Sequence, residues 1–192
     1  MLTLCTLTRG YELPTATRVL EHITDEVRWK VTFGVQPHDW YDRRLDDLHT
    51  KGWMAMVDDD DELLNLRPVL DAIKLYPDKG LIYTQEGTRP KAANHSRLLD
   101  AAHHLSAINT RFLNINWLRR YEGAIDLLCR LQAGLAGGAV FINEECYRWT
   151  PRPTSFSRDR GFSEKLWRDR EVGTRELLKL YPQRLTEPIT EA

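Results

Sequence analysis

Hydrophobic and polar positions along the chain alternate between two periods, and the switches between them divide it into elements. Residues 2–7 alternate apolar and Thr positions and read as a strand, which Arg9-Gly10 breaks. A stretch rich in helix formers over 14–23 predicts a helix, and the β-branched and aromatic run 28–35 predicts a second strand. Residues 41–51 are polar with Leu45 and Leu48 inward, so a short helix is expected, ended by Gly52. The apolar run 53–57 is then a third strand.

Leu66, Val69, Leu70 and Ile73 fall on one face of a helix over 66–75, and 81–84 is a fourth strand. The polar stretch 86–96 has the length of a lid or substrate loop. Helices are predicted over 98–105, 121–131 and 164–180, with a last strand over 139–142. The segment 151–160 is a loop by composition, and the tail past 186 is expected to fray. Strands alternating with helices predict an α/β protein with a mixed, mostly parallel sheet flanked by helices. One domain over 1–182, with 183–192 as a frayed tail, accommodates the whole chain.

Composition narrows the chemistry. With 192 residues and 42% hydrophobic content, there is enough chain for one full core. A net charge of −1 gives no overall polycation, so any basic site must be local. Cys5, Cys129 and Cys146 form no CxxC pair and no zinc spacing, which points to a reducing compartment. No apolar stretch approaches the roughly 18 residues of a membrane span, and the first residues lack a basic leader. A soluble cytoplasmic protein is expected.

The candidate chemistry centres on Asp58-Asp59-Asp60-Asp61, directly after the third strand. Four adjacent carboxylates repel one another, and a divalent cation that also carries phosphates would relieve them. A solvated acidic turn that stops a strand is the competing reading. Position favours the cation, because open α/β sheets bind ligands beyond the carboxyl ends of their strands.

The opening Leu4-Cys5-Thr6-Leu7-Thr8-Arg9, the segment Trp53-Met54-Ala55-Met56-Val57-Asp58-Asp59-Asp60-Asp61, the run Asp126-Leu127-Leu128-Cys129-Arg130-Leu131 and the segment Tyr147-Arg148-Trp149 occur in an order that resembles family 2 glycosyltransferases with the GT-A fold. Asp58-x-Asp60 sits on that family's DxD motif. The resemblance implies a single GT-A-like, Rossmann-related domain that moves a sugar from a nucleotide-sugar donor to a hydroxyl acceptor, with inversion, using Mn²⁺ or Mg²⁺. It assigns Asp60 and Asp58 to the metal, and Thr8, Arg9, Tyr11, Asp39, Asp58, Asp59 and Arg158 to the nucleotide-sugar. Glu122 takes the place of the catalytic base with a one-residue slip, and Asp126 stands one helical turn further on the same face. An ordinary helix N-terminal acid is the competing reading of Glu122. His104 and Arg152 fall on the acceptor side; His103 and His104 point about 100° apart in a helix and do not form a metal pair.

Two functions of different class follow. One is the glycosyltransferase, in a specific version a phage-type enzyme acting on hydroxymethylated bases in DNA within the host cytoplasm. The other is a catalytically silent module binding a nucleotide or polyanion, favoured by the short span between the second strand and the acidic run.

Overall fold

A computed structural model describes residues 1–85, 91–100, 105–150 and 160–192, with residues 160–163 as backbone alone. In chain order the strands are β1 (Leu2–Leu7), β2 (Val27–Thr32), β3 (Trp53–Met56), β4 (Glu62–Leu63), β5 (Leu81–Gln85), β6 (Ser106–Asn109), β7 (Ala139–Glu145), β8 (Tyr147–Arg148) and β9 (Thr190–Glu191). The helices are α1 (Trp40–Leu48), α2 (Arg67–Leu75), α3 (Ile115–Leu118), α4 (Ile125–Gly137) and α5 (Arg160–Leu180). Seven strands form one sheet in the order β2-β1-β3-β6-β5-β7-β9, and β4 pairs with β8 in a small separate ribbon. Only β6 runs antiparallel to its neighbours in the large sheet.

Helices cover both faces, which is why the central strands are continuous apolar runs. Successive side chains of a strand point to opposite faces, so β3 sends Met54 and Met56 to one core and Trp53 and Ala55 to the other. The first core packs against Leu45 and Leu48 of α1, Leu128 and Leu131 of α4 and Leu177 of α5. The second packs against Val69 and Leu70 of α2. At the crossing of β5 and α4 the backbones nearly touch: a Cβ on Gly80 would lie 1.9 Å from the Ala133 carbonyl oxygen. Glycine is therefore required there, and α4 is seated directly on the sheet. Among the described residues, no helix is long and apolar enough to cross a membrane.

Four expectations change. The helix expected over 14–23 is only a 3₁₀ turn at Val19–His22, since Thr17 Oγ1 bonds back to the Pro14 carbonyl at 3.0 Å and competes with a helical ladder. The helix over 98–105 gives way to a 3₁₀ turn at His95–Asp100 and, past undescribed residues 101–104, to Leu105 and strand β6. Strand β6 has no strong β pattern of its own. Its backbone is claimed by β3 on one side and β5 on the other, and the Asn109 amide is satisfied by the carbonyls of Pro77 and Lys79. Helix α4 starts at Ile125 rather than 121 and runs through Gly134 to Gly137. Finally, the tail 183–192 is ordered rather than frayed: β9 closes the open edge of β7, Ile189 is buried, and the Ala192 N–H donates to the Phe141 carbonyl at 3.0 Å.

His95 ties this C-terminal stretch to the sheet. Its Nε2 accepts the Ala139 N–H at 3.0 Å while Nδ1 sits 3.0 Å from the Glu187 carbonyl oxygen, so the neutral ring with Nδ1 protonated satisfies both. Burial, with Arg184 and Lys79 nearby, lowers the imidazole's pKa, opposed by Glu187. Because the folded value lies below the unfolded one, this stabilisation is full above about pH 6.5 and is lost as pH falls through the folded value. The drop in urea midpoint between about pH 7.5 and about pH 5.5 is therefore expected to shrink in His95→Gln, and an equal drop in both proteins refutes the assignment.

Candidate functional site

Parallel strands β1, β2 and β3 present their carboxyl ends on one edge of the sheet, and the loops leaving them build the site. The loops after β1 and β2 continue the ladder beyond the strands: Thr8 N–H donates to Thr32 O at 3.0 Å, Val35 N–H to Thr8 O at 2.9 Å and Gly34 N–H to Gly10 O at 3.0 Å. Thr8 is buried, and its hydroxyl accepts the Gly10 N–H at 3.1 Å. Gly34 takes φ +64°, and a Cβ there would meet the Tyr11 ring at 2.8 Å. The glycine thus lets Tyr11, itself 83% exposed, lie over the end of β2. Arg9 is exposed beside it, and half-buried Asp39 precedes α1 with its carboxylate 3.6 Å from His38.

Beyond β3 the acidic run turns from water toward the protein. Asp58 is exposed, Asp59 and Asp60 are half-buried, and Asp61 is buried. The repulsion is relieved by a residue that the sequence reading did not single out. Arg44 of α1 is only 1% exposed and reaches three carboxylates: Asp58 at 3.1 Å, Asp47 at 3.4 Å and Asp126 of α4 at 3.4 Å. Lys30 of β2 adds a second cation, 2.8 Å from Asp47. Burial alone would push the guanidinium toward neutrality, but Asp126, Asp58 and Asp47 outweigh it and hold it charged. Burial raises the Asp126 carboxyl above its ordinary range, opposed by Arg44 and reinforced by Asp58. A signal for Arg44 did exist: it stands four residues before inward Leu48, on the same helical face.

Asp61 is held differently. Tyr147 of β8 donates its hydroxyl proton to Asp61 Oδ2 at 2.6 Å, and the Thr150 N–H donates to Oδ1 at 2.8 Å. Burial lifts this carboxyl to about 6, with those two donors pulling the other way. Both its oxygens are thus occupied, while Asp58 is exposed and Asp59 and Asp60 are half-buried.

Asp58 and Asp126, far apart in sequence, are brought together on Arg44. Glu122 is not part of that cluster. Its exposed side chain pairs with Lys165 of α5, while the adjoining Gly123 N–H donates to Asp169 at 2.9 Å. A Cβ on Gly123 would lie 2.7 Å from the Leu166 nitrogen, so α5 packs flush against this turn. His104, Arg152 and Arg158 lie outside the described residues. Among the described residues no three His, Cys, Asp or Glu side chains are gathered as a metal cage. Two carboxylates nevertheless fit Mg²⁺ or Mn²⁺ in nucleotide sites, where waters and phosphates complete the shell.

Among solved structures, the chain is similar to TarS 1-349 of S. aureus, a glycosyltransferase, with a TM-score of 0.58 and 13% sequence identity. The match covers 93% of this chain and 66% of that one, so the chain spans just under two thirds of TarS 1-349. The likeness is one of fold, and the α/β domain described above is GT-A-like. No protein-family model matches the sequence, and no curated protein is significantly similar to it.

Removing a buried charge from a paired cluster strands its partners, at a cost of about 3–5 kcal/mol. Arg44→Met is expected to lose about that much in urea unfolding, and Arg44→Lys to recover only part, since one ammonium cannot span carboxylates on α1, the acidic run and α4. A loss below about 1 kcal/mol in Arg44→Met would sink this account of the cluster.

Proposed function

We propose that this protein is a glycosyltransferase that moves a sugar from a nucleotide-sugar donor to a hydroxyl acceptor, with Mn²⁺ or Mg²⁺ at Asp60 and Asp58. The observation that carries the reading is the acidic run at the carboxyl end of β3, whose exposed Asp58 is coupled through Arg44 to Asp126 of α4. When bound, the cation supplies positive charge against the departing diphosphate.

The chain's own residues divide the remaining work. Tyr11 and Thr8, with Arg9 and Asp39 beside them, receive the nucleoside end of the donor. Asp60 binds the cation directly, and Asp58, kept in place by Arg44, turns its free oxygen to the cation or to donor hydroxyls. Asp59 lies alongside as a further donor contact. Asp126 is the better-supported base of the two carboxylates on its segment. One of its oxygens rests on Arg44, and the other accepts the proton of the acceptor hydroxyl as that oxygen bonds to the anomeric carbon and the diphosphate leaves from the opposite face. Burial raises its pKa, which makes it a stronger proton acceptor than an ordinary exposed carboxylate.

The finer acceptor assignment is a hydroxymethylated base in DNA, which must leave the stack to be reached. What supports it is α5, where Arg170 stacks 5.1 Å over the exposed Trp167 ring and Arg168 lies beside it. Acceptor binding is then steeply salt-dependent, whereas salt-insensitive turnover on a small acceptor removes DNA from the proposal. One observation favours the second reading, a silent binding module: Glu122, at the resemblance's base position, is engaged by Lys165.

A single assay separates the readings. Metal-dependent release of nucleoside diphosphate is measured over a panel of nucleotide sugars, with Asp60→Ala as control. An enzyme gives release that chelator abolishes and that Asp60→Ala lowers by about 100-fold. No release above the control, with any donor or acceptor, leaves the binding module.

A further inference from the structure

The strongest unassigned group beside the donor site is the hydroxyl of Tyr147. Its ring is buried in the second core, and its oxygen makes two bonds at once: it donates to Asp61 Oδ2 at 2.6 Å and accepts the Asp58 N–H at 3.1 Å. A phenol has one proton to give, so the two roles are fixed by chemistry: a carboxylate can only accept it, and an amide can only donate. Below the hydroxyl, the ribbon pairs Leu63 with Tyr147 and Glu62 with Arg148, and Arg148 also binds the Glu62 carboxylate at 2.8 Å. Thr150, just past β8, closes the arrangement through its N–H to Asp61 Oδ1. The first residue of the acidic run is thus held by its amide and the last by its carboxylate, through one oxygen atom. Asp59 and Asp60 span the distance between these two fixed points.

We infer that Tyr147 is a positioning residue for the donor site: its hydroxyl sets the separation of Asp58 and Asp61, so that the carboxylates of Asp58 and Asp60 meet the diphosphate-bound cation already ordered. This rests on the reading of the acidic run as the donor site. Ordering the loop in advance removes a cost that would otherwise be met on binding. In Tyr147→Phe the ring and the β4–β8 pairing remain, while the Asp58 amide and Asp61 lose their common partner. The deficit therefore belongs to cation binding rather than to folding.

The test is a manganese titration of the full chain with uridine or guanosine diphosphate, read by electron paramagnetic resonance of free Mn²⁺, and in parallel by donor hydrolysis against manganese concentration. Tyr147→Phe is expected to raise half-saturating manganese by about tenfold, with turnover recovering as manganese is raised. Asp61→Asn gives a comparable shift, and the double variant is no worse than the weaker-binding single one, because both changes cut the same link. Unchanged half-saturation in Tyr147→Phe overturns the inference, as does a uniform loss of binding capacity at unchanged half-saturation. If the unsubstituted protein binds manganese and Tyr147→Phe matches it, only this inference fails. If the unsubstituted protein binds none with either diphosphate, the donor-site reading fails with it.

Discussion

One guanidinium, sealed from water, meets a carboxylate of its own helix and two more from the acidic run and α4. Arg44 is buried because α1 lies over the sheet with Leu45 and Leu48 in the core, and the same packing leaves its charge no solvent to face. It must be paired or the helix cannot dock. Asp47 pairs it within α1, Asp58 from the acidic run and Asp126 from the start of α4, so a requirement of burial becomes a device that gathers the edge of the site. The arrangement also explains how four adjacent carboxylates persist: the first is neutralised by Arg44, and the last is buried under two hydrogen-bond donors.

The sheet supplies the frame for this. Parallel strands β1, β2 and β3 end together, and α4 is held against the sheet by the backbone contact at Gly80, which fixes where Asp126 can stand. On the far side of the site, α5 packs on the turn before α4 through Gly123, Asp169 and Lys165. That packing turns Glu122 outward and leaves Asp126 as the inward carboxylate. Because α4 starts at Ile125, four residues later than the expected 121, Glu122 falls in the turn before the helix while Asp126 stands in its first turn.

The legible parts were those with a local physical signature. Strands β1, β3, β5 and β7 are apolar runs bounded by glycine or polar turns, and α2 shows its inward stripe as Val69 and Leu70. The acidic run marked its own position at the end of β3. The illegible parts had no such signature: β6 is four residues with a serine and an asparagine, and it is a strand because β3 and β5 both need a partner there. The C-terminal residues looked frayed because their order comes from the edge of β7, not from their own composition.

By itself, then, the sequence determined the alternation of elements, the α/β class and the place of the acidic run, because hydrophobic period and turn chemistry act over neighbouring residues. Long-range packing sets which charges share Arg44, that Tyr147 closes on Asp58 and Asp61 from 89 and 86 residues away, and that Asp126 rather than Glu122 faces inward. Those outcomes are set by the need to satisfy buried polar groups, and the partner that satisfies them is chosen by packing between elements, which no local pattern encodes.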